Sequence, residues 1–221
     1  RAWGNELDPV GALISRVATT PIGKHRLIRL RARLMDKLRS KLRKGRELPV
    51  KLPSDAEFPN WEKWFRRSTL SQLIYIRDSI KVLAKRKDTR DFGMLCLSRI
   101  VREASNADPR DIFPERDKDM LVRPEVDVLA AFQSSYDYCR LRVLQYSAVR
   151  GRSRSRVTEG DARNLPWPNK NVDLIVTSPP YTYAMDYART HQLSTLLLFM
   201  ANPEFRVLRR LYVGTDRVPS R

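Results

Sequence analysis

Cysteine, histidine and long apolar runs are all scarce in this chain. The only cysteines among the 221 residues are Cys96 and Cys139, and the two histidines, His25 and His191, are far apart. This content excludes a disulfide framework and a Cys/His metal cluster, and it is typical of proteins from a reducing compartment. No apolar run approaches about 18 residues and no signal-peptide pattern occurs, so we expect a cytoplasmic protein without a membrane partner.

Acidic residues are few relative to basic ones. The chain carries 43 Lys and Arg against 25 Asp and Glu, which gives a net charge of +18. An excess of this size indicates a polyanionic partner, of which nucleic acid is the commonest. A solubilising surface or contact with an acidic protein would produce the same excess. The 42% share of hydrophobic residues is enough to build one sizeable core.

Helical periodicity is the main pattern between residues 21 and 150. Leucines recur at steps of three and four over 24–46, with Lys and Arg at most other positions, which predicts an amphipathic helix with a cationic face. Further helices are predicted at 69–86, 91–105 and 125–147.

A short basic run, RGRSRSR at 150–156, follows these helices. Its composition predicts a flexible loop whose arginines can follow the phosphates of DNA, although a plain solvated loop would look the same. The candidate nucleic-acid contacts are Arg150, Arg152, Arg154 and Arg156.

Strand-like segments occur only near the two ends of the chain. The segment from Trp3 reads as a strand end and a turn, followed by a helix that Asp8 caps and that runs to residue 20. A second strand is predicted from 157, a buried third strand at 172–178, and a helix at 184–200. We therefore expect an α/β fold in which residues 1–20 and 151–221 form one sheet domain and residues 21–150 form a large all-helical insertion.

The apolar run before Ser178-Pro179-Pro180-Tyr181 ends in a segment with little conformational freedom. At the carboxyl end of a parallel strand, such a segment lies where open α/β sheets bind ligands. The exocyclic amino group of cytosine or adenine is a poor nucleophile, because its lone pair is delocalised into the ring. The Ser178 hydroxyl and the Pro179 carbonyl can accept its hydrogens, and the Tyr181 ring can stack on a flipped-out base. A Pro-Pro turn beside a core tyrosine is the alternative.

Two stretches resemble the S-adenosylmethionine-dependent DNA amino-methyltransferases, which methylate N4 of cytosine or N6 of adenine. VTSPPY at 176–181 matches the catalytic motif of that family, and GNELDP at 4–9 matches its G-x-D/E-x-N-P segment, with Asp8 in place of the usual Asn. The residues after the motif, MDYARTHQLSTLLL, also look like the helix that follows it in the family. The resemblance covers roughly residues 3–20 and 157–200.

The resemblance implies an incomplete Rossmann-like methyltransferase sheet that binds S-adenosylmethionine. Glu6 would accept hydrogen bonds from the ribose hydroxyls of the cofactor, and Asp161 with Ala162 would meet its adenine. Ser178, Pro179, Pro180 and Tyr181 would be the catalytic residues. The family's Gly-rich cofactor motif is missing from these residues, so we expect either that it lies upstream or on another chain, or that the cofactor site is incomplete.

The implied activity is methylation of an amino group in double-stranded DNA by a nucleoid-associated enzyme, and several alternatives stay open. Ser178 at the first motif position favours N4 of cytosine, because the adenine branch more often has Asp there. The sequence argues against a C5-cytosine enzyme, which needs a Pro-Cys nucleophile, because neither Cys96 nor Cys139 follows a proline. The alternatives are an N6-adenine enzyme, an RNA methyltransferase, and a non-catalytic nucleic-acid-binding remnant of such an enzyme.

Overall fold

The structure of the chain, a computed structural model, describes residues 1–115, 125–150, 154–167, 172–178 and 186–212. These residues form a mixed α/β fold that is mostly helical. The elements, in chain order, are β1 (Ala2–Glu6), α1 (Pro9–Thr19), α2 (Lys24–Arg39), α3 (Trp61–Trp64), α4 (Arg67–Leu83), α5 (Lys87–Val101), α6 (Val128–Val149), β2 (Ser155–Glu159), α7 (Tyr187–Thr190), α8 (Gln192–Leu198) and α9 (Asn202–Leu211).

The two strands come from opposite ends of the sequence and pair in parallel. The register runs from Ala2 opposite Ser155 to Glu6 opposite Glu159, so the helices α1 to α6 lie between paired strands along the chain. This confirms the prediction that the two ends join in one sheet. The second strand begins at Ser155 rather than at 157, which places Arg156 in the sheet opposite Trp3 and not in a loop.

The prediction of a buried strand at 172–178 is wrong. None of these seven residues is in a strand and all are exposed. Leu174, Ile175 and Val176 are 78%, 78% and 87% exposed. An apolar, β-branched run becomes a strand only where a neighbouring strand offers a free edge and a face to pack on. Within the described residues, β1 and β2 pair only with each other, and this run lies on neither of their free edges.

The cationic helix predicted at 24–46 exists but is shorter. Leu27, Leu30, Leu34 and Leu38 are buried on one side of α2, as the leucine spacing predicted. The helix ends at Arg39, and the chain then turns, with Gly45 in the left-handed region at a φ of 74°. The predicted helices at 69–86, 91–105 and 125–147 correspond to α4, α5 and α6 with bounds shifted by two to four residues.

One continuous core joins the helices of residues 21–150 to those at the chain ends. Leu13 of α1, Phe92 of α5, Tyr136 of α6 and Leu197 of α8 all belong to it. Tyr136 also donates a hydrogen bond from its hydroxyl to the carbonyl of Leu27 at 2.8 Å, which satisfies a buried polar group between α6 and α2. The segment predicted as a helix at 184–200 contributes α7 and α8 to this core, within the part that is described.

None of the helices in the described part of the chain has the length and apolarity that a membrane crossing would need.

Candidate functional site

The carboxyl ends of β1 and β2 bring two predicted cofactor residues to one edge of the sheet. Glu6 is the last residue of β1, and Asp161 follows Glu159 of β2 after a single glycine. The two ends are tied together, because the Gly160 N–H donates to the Glu6 carbonyl at 3.0 Å and the Asn5 side-chain amide donates to the Gly160 carbonyl at 2.7 Å. Parallel strands therefore place both acidic residues where α/β sheets bind ligands.

Glu6 packs against the first turn of α1. A Cβ atom on Gly11 would lie 3.0 Å from Cγ of Glu6, so the helix approaches this side chain closely only because residue 11 is glycine. One carboxylate oxygen of Glu6 accepts the N–H of Asp8 at 3.0 Å. The other oxygen has no hydrogen-bond donor among the described residues. The side chain is thus held in place with acceptor capacity to spare.

Asp161 is engaged by a neighbouring cation. The Nε of Arg163 donates to both carboxylate oxygens of Asp161 at 2.9 Å, and the Arg163 backbone N–H donates to one of them at 2.9 Å. The side-chain hydrogen bonds from Arg163, reinforced by its backbone N–H, lower the pKa of Asp161 to about 2. The carboxylate is therefore ionised at neutral pH, and a ligand amino group would have to share it with Arg163. Ala162 is exposed in the same turn.

An aromatic stack fastens the loop that carries Asp161. The rings of Trp3 and Trp167 lie 5.9 Å apart between centroids, with 18° between their planes. Such offset stacking contributes about 0.5–1.5 kcal/mol beyond the area that it buries. Trp3 is in β1 and Trp167 follows β2, so the stack holds residues 160–167 against the strand pair.

The predicted catalytic motif at 178–181 is described only at its first residue. Ser178 is exposed, whereas Pro179, Pro180 and Tyr181 lie outside the described residues. The relative position of the two proposed hydrogen-bond acceptors, the Ser178 hydroxyl and the Pro179 carbonyl, is therefore not part of the described site.

The basic segment at 150–156 is described in part. Arg150 caps the carboxyl end of α6, Arg152 lies outside the described residues, and Arg154 and Arg156 are exposed. The Arg154 carbonyl accepts the N–H of Ala2 at 2.9 Å. This bond fixes the backbone just before β2, so Arg154 and Arg156 extend from an ordered sheet margin rather than from the predicted flexible loop.

A buried polar cluster beside this edge was missed by the sequence analysis. The Asp8 carboxylate, 7% exposed, accepts the Gly11 N–H at 2.7 Å and the Tyr212 hydroxyl at 2.9 Å. Nδ1 of His191 lies 2.9 Å from the same carboxylate. The cluster joins α1, the α7–α8 junction and the end of α9. Asp8 was predicted as a helix cap, which is correct, but 183 residues separate it from His191 and no local pattern connects them.

The cluster favours the charged forms of Asp8 and His191. Burial would raise the pKa of Asp8, but the hydrogen bond and positive charge of His191, with the bonds from Gly11 and Tyr212, lower it overall. The hydrogen bond to Asp8 raises the pKa of His191 above its ordinary value, against a smaller opposing effect of burial. Burial, followed by the charge of Asp8, raises the pKa of the Tyr212 hydroxyl.

The exposed side of α2 is strongly cationic. Arg31 is committed to the fold, because it donates to both carboxylate oxygens of Asp137 on α6 at 2.9 and 2.7 Å. The other basic residues on this helix point away from its buried leucines. They are exposed at Lys24, Arg26, Arg29, Arg33 and Arg39.

No protein-family model, curated protein or solved structure matches this chain. Within the described ranges, no group of three or more His, Cys, Asp or Glu side chains is placed to hold a metal ion.

Proposed function

We propose that this chain belongs to an S-adenosylmethionine-dependent methyltransferase that modifies the exocyclic amino group of a base in double-stranded DNA, with N4 of cytosine favoured. In this proposal β1 and β2 are two strands of a Rossmann-like sheet, and the protein is associated with the nucleoid. The observation that carries it is the position of Glu6 and Asp161 at one sheet edge, in the order that the family resemblance requires. The net charge of +18 supports a nucleic-acid substrate.

The residues of the edge fit the cofactor in part. The unused oxygen of Glu6 can accept hydrogen bonds from ribose hydroxyls, and Gly11 leaves room for that side chain. Asp161 is ionised and can accept an amino group of adenine alongside Arg163. S-adenosylmethionine supplies the methyl group when it is bound.

The motif residues would act on the base rather than on the cofactor. The Ser178 hydroxyl and the Pro179 carbonyl accept the hydrogens of the amino group, which localises its lone pair for attack and helps to remove a proton afterwards. Tyr181 stacks on the base after it has left the helix. No covalent enzyme–base bond is needed, which agrees with the absence of a Pro-Cys sequence.

A second function, nucleic-acid binding without methyl transfer, is favoured by one separate observation. The exposed cationic face of α2 does not depend on the sheet edge or on the motif. It would bind phosphates equally well in a protein that has lost its catalytic activity.

The test is methylation of a defined DNA duplex by the full-length protein, read out by mass spectrometry of the released nucleosides. We expect N4-methylcytosine in the wild type. Ser178→Ala should lower turnover about a hundredfold or more, the usual effect of removing one positioned transition-state hydrogen-bonding group. Ser147→Ala is the matched control, because among the described residues this serine bonds only to the Val143 carbonyl within its own helix.

Three results would change the proposal. N6-methyladenine as the product would assign the protein to the adenine branch of the family. Methylation of RNA but not of DNA would make RNA the substrate. Tight DNA binding without any methylated nucleoside would favour the non-catalytic function. Equal turnover in Ser178→Ala and wild type would remove the motif from the mechanism.

A further inference from the structure

A large cavity lies among five helices on the side of α1 that carries Ile14. It has a volume of about 620 Å³ and is lined by residues of α1, α5, α6 and the α7–α8 junction. Its volume is within the range of about 300–1,000 Å³ that is typical of small-molecule sites. None of Glu6, Asp161 and Ser178 lines it, so the proposed methyltransfer site leaves it unused.

The wall of this cavity is predominantly apolar. Val10 and Ile14 from α1, Leu95 from α5 and Val143 from α6 line it. Ile14 is 43% exposed, which is a large apolar surface for a residue in the middle of a helix. Burying such side chains under an apolar ligand would gain about 25 cal/mol for each Å² that is removed from water.

Two arginines at the cavity have unused hydrogen-bond donors. The guanidinium groups of Arg99 and Arg142 lie 4.4 Å and 5.1 Å from the ring centre of Tyr138, whose ring therefore positions both. Arg142 donates to Gln145 at 3.2 Å, and Arg99 has no acidic partner among the described residues. Two oriented cations over an apolar pocket suit a carboxylate or a phosphate, which guanidinium binds through paired hydrogen bonds.

A third arginine at the cavity has a structural role instead. Arg102 donates to the carbonyls of Asp108 and Ile112 at 3.0 and 2.8 Å, and so holds the segment after α5. His191 also lines the cavity, and its Nδ1 lies 2.9 Å from the Asp8 carboxylate.

We propose that this cavity binds a small amphipathic anion, with its apolar body against Ile14 and Val143 and its carboxylate or phosphate group between Arg99 and Arg142. Val10, Ile14, Leu95 and Val143 give the wall an aliphatic part that suits an alkyl chain, and Tyr138 and Tyr146 line the same cavity. The pair of guanidinium groups at the Tyr138 ring favours an anion over a neutral apolar ligand of the same size.

The test uses methyl NMR of the full-length protein titrated with decanoate, decyl phosphate and decanol. The Ile14 methyl signal should move with decanoate or decyl phosphate, and whichever of the two binds more tightly identifies the head group. Ile28 is the internal control, because it is 42% exposed, almost the same as Ile14, but is not part of the cavity. Decanol should bind about tenfold more weakly than the better anion.

Substitutions separate the contribution of the arginine charges to ligand binding from that of the apolar wall. The double variant Arg99→Gln/Arg142→Gln should weaken binding of the anion about tenfold or more and leave decanol unchanged. Arg142→Lys, which keeps the charge, should recover part of the loss. Arg33→Gln on the exposed side of α2 is the matched control and should have no effect.

Three outcomes would overturn the proposal. Equal affinity for decanol and both anions would show that the cavity binds apolar molecules without regard to charge. If Arg33→Gln weakened anion binding as much as the double variant does, the loss would reflect the net charge of the protein and not a contact in the cavity. A DNA duplex that moves the Ile14 signal at lower concentration than either anion would assign the surface to nucleic acid. None of these results depends on methyl transfer, so they are independent of the test of the proposed function.

Discussion

Replacing Asp8 by asparagine should lower the pKa of His191 and make the protein less stable in a pH-dependent way. Asparagine has nearly the same shape and keeps one oxygen that can accept the Gly11 N–H, which stays the cap of α1. It replaces the carboxylate that is hydrogen-bonded to Nδ1 of His191 by a neutral amide. That hydrogen bond is the main reason that the pKa of this histidine is raised, and the negative charge of Asp8 adds a smaller effect. In the variant the imidazole of His191 is still buried, and burial lowers the pKa of a histidine.

The size of the effect follows from the hydrogen bonds that Asp8 loses. A hydrogen bond to a charged group contributes about 1.5–3 kcal/mol. His191 is 36% exposed, so water screens part of its interaction, and we expect a loss of about 1–2 kcal/mol in the free energy of unfolding. Asp8→Ala should cost more, about 2–4 kcal/mol, because it also removes the cap and leaves the buried Tyr212 hydroxyl without its acceptor.

The pH dependence has a definite sign. The pKa of His191 is raised above 6.5, so its contribution is fully present below pH 6.5 and is lost as the pH rises through the folded-state pKa. The pKa of Asp8 is lowered below 3.8, so its contribution is present above pH 3.8 and is lost as the pH falls through the folded-state pKa. The stability difference between wild type and Asp8→Asn should therefore be largest between pH 3.8 and 6.5 and should shrink at higher pH.

Urea unfolding from about pH 4.5 to pH 9, combined with NMR titration of the histidine ring protons, measures both effects. His25, the only other histidine, is exposed, and its ring signals provide the internal reference. If the stability difference were constant over this pH range, or if His191 titrated at the same pH in both proteins, the ion pair would have no role in the cluster.

Two further predictions concern the proposed methyltransferase. Glu6→Gln should weaken S-adenosylmethionine binding by about 1.5–3 kcal/mol in calorimetry. Glu159→Gln, at the paired end of β2, is the control and should leave the affinity unchanged. Equal affinity in the wild type and both variants would remove Glu6 from the proposed site. Neutralising the four arginines of the 150–156 segment should weaken binding to all DNA sequences alike and reduce the salt slope by about 0.9 per lost contact, without changing the methylated sequence. An unaltered plot of log K against log salt would show that these arginines do not contact phosphates.

The helices could be predicted from the sequence because their burial pattern is local. The leucines of α2 recur with the helical period, and four of them are buried as that period requires. The early end of this helix was not predictable in the same way. Leu42 continues the spacing and is buried, but it reaches the core from a turn rather than from a further helical turn.

The pairing of β1 with β2 was predicted from strand-like segments at both ends, whereas the predicted strand at 172–178 failed. The segment that failed is richer in β-branched and aliphatic residues than either of the two that pair. The difference lies in the partner, since Ala2–Glu6 and Ser155–Glu159 complete each other's backbone hydrogen bonds. Such partnership is a property of the folded chain and is not written in either segment.

The turn from Glu6 to Gly11 connects three features that the sequence presents separately. The Asp8 N–H fixes Glu6 at the proposed cofactor edge, while the Asp8 carboxylate caps α1 and pairs with His191. His191 in turn lines the cavity beside α1. Because the backbone N–H of Asp8 contacts Glu6 and its carboxylate contacts His191, this one residue joins the sheet edge to the α7–α8 junction. The proposed cofactor edge and the cavity thus share a structural element although they share no lining residue.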